Sequence, residues 1–173
     1  MQSESDSTIR VALLGCGTVG GALARIIHND ADRIAARTGI RLELAGIAVR
    51  NLSADREADI PQKLFTRDAP GLVNSPIVDV VVETIGGIEP ARQLVIASLK
   101  SGKPVITANK ELVANVGQEL FEAAATGGVD LFFDSFLSSF LPSIRPSVRP
   151  SFLSSFIPPF IPSFRPSYLP SDI

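Results

Sequence analysis

Short apolar runs alternate with stretches of helical periodicity along the first three quarters of the chain. Apolar, often β-branched runs predict strands, and apolar residues spaced for one helical face predict helices. The run at 77–83, IVDVVVE, is nearly continuous, as expected of a strand covered on both faces. The predicted strands lie at 8–14, 41–49, 77–83, 104–108 and 129–133, and the predicted helices at 19–36, 89–100 and 110–125.

Strands that alternate with helices predict an α/β fold built on a parallel sheet, because parallel strands need long crossover connections that cover the sheet. Right-handed crossovers on both faces make this a doubly wound sheet. We expect the domain to span residues 8–134, after a disordered polar N-terminus at 1–7. No element is predicted between 51 and 75, where the chain is polar and interrupted by proline.

Composition changes abruptly at Ser135. From there on the chain has no Gly, Ala or Lys and consists mainly of Ser, Pro and Phe. From Phe136 it falls into tetrads such as FLSS, FLPS and IRPS, a period that suits a translated TTCC repeat in DNA. Because frequent proline removes backbone donors, residues 135–173 are predicted to be a disordered low-complexity tail. The alternative is a proline-rich ligand for an aromatic groove.

Charge and cysteine content narrow the class of protein. Residues 1–134 hold 13 Lys and Arg against 17 Asp and Glu, which leaves no excess of basic residues for nucleic acid. The single cysteine, Cys16, cannot close a disulfide within the chain, and the start MQSESDST lacks the apolar core of a secretory signal. No apolar run reaches the roughly 18 to 20 residues of a membrane helix. We therefore expect a cytoplasmic protein without nucleic-acid or membrane partners.

The motif GCGTVG follows the first predicted strand directly and opens the first predicted helix. Its glycines, Gly15, Gly17 and Gly20, have the spacing of a Rossmann-type NAD(P)-binding domain. They permit a tight turn, a close approach of backbone to a pyrophosphate, and close helix-to-strand packing. The helix N-terminus adds N–H groups and the positive end of its dipole. The alternative is a glycine-rich turn without a ligand.

The end of the second predicted strand bears on the choice of dinucleotide. An acidic residue there binds the ribose 2′-hydroxyl of NAD, whereas an arginine accommodates the 2′-phosphate of NADP. The strand ends in AVRN, with Arg50 and no carboxylate before Asp55. The sequence favours NADP, with NAD as the alternative cofactor and a solvated arginine as the alternative role of Arg50.

Two later motifs, ETIGG and TANKEL, follow predicted strands. The glycines of ETIGG would let backbone approach the nicotinamide half of a cofactor, or would simply form a tight turn. Asn109 is a predicted N-cap, which places Lys110 in a first helical turn where a cation opposes the macrodipole. A nearby anion or reacting oxygen would explain that charge, and a solvated lysine is the alternative. No cluster has the spacing of a metal site.

With VALLGCGTVGGAL, VVVETIGG and KPVITANKELVA in this order, residues 8 to about 133 resemble the N-terminal NAD(P)-binding domain of homoserine dehydrogenase. The resemblance implies an oxidoreductase of threonine and methionine biosynthesis that interconverts homoserine and aspartate semialdehyde with NAD(P). A small amino acid would be its substrate. It also implies specific roles: Gly15, Gly17, Thr18, Val19 and Gly20 at the pyrophosphate, Arg50 at the 2′-phosphate, Thr84 near the nicotinamide ribose, and Lys110, also the candidate catalytic residue, between cofactor and substrate.

The resemblance stops where the tail begins. The family continues with a pattern like FEA and a turn GGIP, which open its substrate and dimerisation domain, whereas this chain continues FDSFLSSFLPSI, with Asp134 in place of glutamate. The family's main catalytic residues and its dimer interface are thus absent, and the chain alone is expected to be inactive. A non-catalytic NADP-binding fragment and a different NADP-dependent dehydrogenase remain alternatives.

Overall fold

The structure is a computed structural model that describes residues 7–54 and 60–133. The predicted disorder of residues 1–6 and of the tail at 135–173 lies outside the described residues. The strands are β1 (Ser7–Leu14), β2 (Ile40–Ala48), β3 (Phe65–Thr66), β4 (Val80–Glu83), β5 (Val105–Thr107) and β6 (Leu131–Phe133). The helices are α1 (Thr18–Asn29), α2 (Ala31–Thr38), α3 (Ala69–Asn74), α4 (Ala91–Lys100) and α5 (Lys110–Gly127), and a 3₁₀-helix spans Gln62–Leu64.

All six strands form one parallel sheet in the order β3-β2-β1-β4-β5-β6. β1, β2 and β3 form one half of the sheet. The chain then returns to the other side of β1, where β4, β5 and β6 form the second half. This order confirms the predicted doubly wound α/β fold of the Rossmann type. In the centre of the sheet, Leu13 of β1 is aligned with Ile47 of β2 and with Val82 of β4.

Side-chain alternation along the strands divides the core between the two faces of the sheet. Val11 and Leu13 of β1 pack with Ala24 and Ile27 of α1 on one face. On the other face, the core contains Ala12 and Leu14 of β1 together with side chains of α3, α4 and α5, among them Val73, Leu99 and Leu120. Because both faces are covered at β1, its last four residues are buried, as expected of a central parallel strand.

The structure differs from the predicted local elements at several points. The single helix expected at 19–36 is two helices that meet at Asp30, which is both the C-cap of α1 and the N-cap of α2. Asn and Asp compete with helical backbone bonds and favour caps, which accounts for a break in the sequence HNDAD. The segment without a prediction contains the 3₁₀-helix, β3 and α3. β1 also begins one residue early, at Ser7, which was assigned to the disordered N-terminus.

None of the helices in the described ranges is both long enough and apolar enough to span a bilayer.

Candidate cofactor site

A cleft of about 970 Å³ opens at the edge of the sheet where the strands end. Its lining includes residues that directly follow β1, β2, β3 and β4, and α4 contributes Gln93, Leu94 and Ala97. In doubly wound sheets, ligands bind outside the carboxyl ends of the strands, at the point where the strand order reverses. That reversal lies here between β1 and β4, so the cleft has the position of a ligand site.

The loop between β1 and α1 contributes Gly15, Cys16 and Gly17 to the cleft. Gly15 has a φ of 97°, a backbone conformation that favours glycine. Gly17 is the N-cap of α1, and in the described part of the chain no side chain caps this helix end. A Cβ added to Gly17 would meet no atom within 4 Å. The start of α1 is thus open on the side where a pyrophosphate could approach its N–H groups.

Thr84 holds this loop against β4. Its hydroxyl shares one proton between the carbonyl oxygens of Leu14 at 3.1 Å and Gly15 at 3.2 Å, and its N–H donates to Leu14 O at 2.8 Å. Gly20 lies directly against the same group, because an added Cβ would be 2.6 Å from Thr84 Oγ1 and 2.4 Å from Gly15 O. Gly20 therefore allows α1 to pack closely on the loop, which is the third role expected of the glycine motif.

Two arginines stand at the far end of the cleft. Arg50 follows β2 and is exposed, and Arg67 follows β3; both line the cleft together with Asn51. The ends of β2 and β3 are adjacent because Val49 N–H donates to Thr66 O at 2.9 Å. No ion pair in the described ranges includes either arginine. This end of the cleft therefore carries two positive charges that could bind an anion.

A hydrogen-bonded network joins the loop after β4 to the start of α5. Asn109 is the N-cap of α5, as predicted: its Oδ1 accepts the Leu112 N–H at 3.0 Å, and its Nδ2 donates to Gly87 O at 2.6 Å. The buried Glu83 carboxylate accepts the Thr107 hydroxyl proton at 2.5 Å. Lys110 begins α5 and is exposed, but it is not part of the cleft lining.

The structure brings part of the predicted site together. Four of its residues line the cleft, namely Gly15, Gly17, Arg50 and Thr84. Thr18 and Val19 are exposed in the first turn of α1, and Gly20 is buried beneath them. Arg67 was missed because no element was predicted around it, although Asp68 followed by Ala and Pro is a recognisable helix start. Glu83 was predicted to end the strand at 77–83 and to begin the ETIGG motif, with no role of its own.

Within residues 7–54 and 60–133, no group of three or more His, Cys, Asp and Glu side chains could hold a metal ion.

Comparison with known proteins identifies the family. A family model described as the NAD-binding domain of homoserine dehydrogenase matches residues 15–134. The homoserine dehydrogenase of Corynebacterium glutamicum is 48% identical over 129 residues, which are 75% of this chain and 29% of that protein. That of Mycobacterium tuberculosis is 44% identical over 130 residues, with the same coverage of 75% and 29%. The chain belongs to the homoserine dehydrogenase family.

Solved structures of homoserine dehydrogenases agree with this assignment. The S. aureus enzyme superposes with a TM-score of 0.69 at 36% identity, covering 74% of this chain and 32% of that chain. The homoserine dehydrogenase of Thiobacillus denitrificans gives a TM-score of 0.63 at 42% identity, with 73% and 29% covered. The chain thus spans less than a third of the length of each of the homoserine dehydrogenases from Corynebacterium glutamicum, S. aureus and Thiobacillus denitrificans. The matched part is their NAD-binding domain.

Proposed function

We propose that this chain is an NADP-binding domain of a homoserine dehydrogenase and that the cleft along β1, β2, β3 and β4 is its dinucleotide site. The observation that carries the proposal is the open loop at Gly15–Gly17, placed at the point where the strand order reverses. A residue larger than glycine would fill the space beside the first turn of α1. The position and chemistry of this loop therefore fit a bound pyrophosphate.

Different residues of the cleft would bind different parts of the dinucleotide. Gly15, Gly17 and the first turn of α1, including Thr18 and Val19, would hold the pyrophosphate. Arg50 would pair with the 2′-phosphate of NADP, and Arg67 supplies a second cation at the same end. Thr84 and Lys110 would lie toward the nicotinamide ribose and the substrate. Arg50 and Arg67 form no ion pair among residues 7–54 and 60–133, and two such cations at one end of the cleft favour NADP over NAD.

In the reaction proposed for the complete family member, homoserine and aspartate semialdehyde are interconverted and the bound nicotinamide supplies or accepts the hydride. The residues described here would bind and orient the cofactor. Lys110 carries a cation at the start of α5, where an oxygen that gains negative charge would be stabilised. We propose that this chain contains the cofactor half of such a site and does not complete it.

Cofactor preference tests the proposal. The 173-residue chain is titrated with NADPH and with NADH, and binding is followed by cofactor fluorescence. We expect tighter binding of NADPH, and we expect Arg50→Ala to weaken it by about tenfold, the scale of one hydrogen bond to a charged group, with little effect on NADH. Arg37→Ala is the matched control, because Arg37 is an exposed arginine on α2, which contributes no residue to the cleft. Equal affinities for the two cofactors, or an unchanged preference in Arg50→Ala, would refute NADP selectivity.

A further inference from the structure

Glu83 is a fully buried carboxylate to which the proposed function gives no role. It is the last residue of β4, its relative exposure is 0%, and no ion pair in the described part of the chain includes it. Burying a carboxylate without a cation is costly unless hydrogen bonds replace its lost hydration. Glu83 lies at the carboxyl edge of the sheet, directly before Thr84 of the cleft lining, so this buried carboxylate is next to the cleft.

Three donors converge on the Glu83 carboxylate. Oε1 accepts the N–H of Ile85 at 2.6 Å and that of Gly86 at 3.2 Å, and Oε2 accepts the hydroxyl proton of Thr107. A carboxylate, which only accepts hydrogen bonds, is complementary to these three donors. Two of them are backbone N–H groups, which can act only as donors. The hydrogen bonds fix the start of the loop after β4, in which Gly86 and Gly87 have φ of 81° and 69°.

The same carboxylate is connected to the first turn of α5. Thr107 Oγ1, which donates to Glu83, accepts the N–H of Asn109 at 3.0 Å. Asn109 in turn caps α5 and donates to the carbonyl of Gly87 at 2.6 Å. Glu83 therefore determines where the loop after β4 lies relative to the helix that begins with Lys110.

We propose that Glu83 is a positioning residue for the nicotinamide half of the dinucleotide. It touches neither cofactor nor substrate but holds the loop at 84–87 and the start of α5 in one arrangement. This inference rests on the proposed function, because it assumes that the cleft binds NADP. The proposed site then has two halves. Arg50 and Arg67 would bind the adenosine half of NADP, and Glu83 would position the loop that receives the nicotinamide half.

Two probes distinguish these halves. NADPH engages the whole site, whereas 2′,5′-ADP carries only the phosphorylated adenosine half. In the full 173-residue chain, we expect Glu83→Gln to weaken NADPH binding by about tenfold and to leave 2′,5′-ADP binding unchanged. The reason is that a glutamine amide has only one acceptor oxygen, because its nitrogen is a donor. Either the N–H groups of Ile85 and Gly86 or the Thr107 hydroxyl therefore loses its acceptor.

A matched pair at Thr107 tests the same network without altering the carboxylate. Thr107→Val removes the donor and should reproduce the selective loss of NADPH affinity, whereas Thr107→Ser keeps the hydroxyl and should restore it. This pair decides the question if Glu83→Gln does not fold. Equal weakening of both probes would show a merely structural role, and unchanged affinity for both would also overturn the proposal. A wild-type chain that binds neither probe would overturn the proposed function itself, and this inference with it.

Discussion

Glycine serves two different purposes in the loop that follows β1. At Gly20 an added Cβ would lie 2.4 Å from Gly15 O, a backbone atom that cannot move aside without distorting the loop. At Gly17 an added Cβ would meet no atom within 4 Å, and the φ of −81° is accessible to every residue. The requirement for glycine at position 20 therefore arises from packing within the protein, whereas at position 17 we propose that it arises from a bound ligand.

Substitutions at these two positions should separate folding from binding. We expect Gly17→Val to remain folded and to weaken NADPH binding by about tenfold or more, because the side chain would occupy the space of the pyrophosphate. Gly20→Ala should instead lower stability by about 1–3 kcal/mol, the usual cost of overpacking. Thermal melting and fluorescence titration measure both effects. Unchanged NADPH affinity in a folded Gly17→Val variant would contradict the assignment of the motif.

Hydrogen-bonded ion pairs join α4 to α5 on the surface of the protein. Arg92 of α4 donates from Nε and Nη2 to the two carboxylate oxygens of Glu119 on α5, at 2.6 Å and 2.7 Å, and from Nη1 to Glu89 at 3.1 Å. The hydrogen bonds with Glu119 raise the pKa of Arg92, and the hydrogen bond from Arg92 lowers the pKa of the Glu119 carboxyl. These bonds fix the two helices that cover the same face of the sheet.

The Arg92–Glu119 pair should make stability depend on pH. Because folding lowers the pKa of Glu119, its contribution is complete above the unfolded value of about 4.3 and is lost as the pH falls through the folded value. We expect Glu119→Gln to lower the melting temperature at pH 7 by up to about 3 °C, since exposed pairs contribute little. This difference should shrink below about pH 4. Glu122→Gln, at an exposed position on the same helix, is the control, and a difference that persisted at pH 3 would contradict the pairing.

At the scale of elements, long periodic segments were predictable and short ones were not. The strands of the central sheet and the helices α4 and α5 follow from continuous apolar runs and helical spacing. The two-residue β3 and the six-residue α3 are too short to show a period, and they form because β3 pairs with β2 at Ile47 and Ala48. Arg67 lies between β3 and α3. Because neither element was predicted, Arg67 was not recognised as a residue of the site.

The candidate site was predictable where local chemistry determines it. Gly15, Gly17 and Gly20 follow from a spacing within one loop, and Asn109 follows from a capping preference within one helix turn. Glu83 contacts Thr107, which is 24 positions away in the sequence. No local pattern indicates that contact, because it depends on the parallel register that aligns Glu83 with Thr107.

At the scale of the whole molecule, one edge of the sheet carries all the proposed binding chemistry. The ends of β1 to β4 line the cleft, and the ends of β4 and β5 are connected through Glu83, Thr107 and Asn109. Of the described residues that line the cleft, only Cys16, Arg50 and Arg67 are ionisable. Arginine remains protonated in proteins and cannot act as a base, and Cys16 belongs to the loop proposed to hold the pyrophosphate. The described lining therefore fits the binding role that we propose for the cleft.

We therefore expect the chain of residues 1–173 to bind NADPH but not to oxidise homoserine. Hydride transfer requires the substrate carbon to be held against the nicotinamide, with an acid or base within reach of its hydroxyl. The family resemblance assigns those groups to a region that the sequence after Asp134 does not match. The purified chain with homoserine and NADP⁺ should form no NADPH above a control without protein, while the homoserine dehydrogenase of Corynebacterium glutamicum serves as the positive control. Turnover that is lost in Lys110→Ala would contradict this expectation, because it would mean that some part of this chain completes the site.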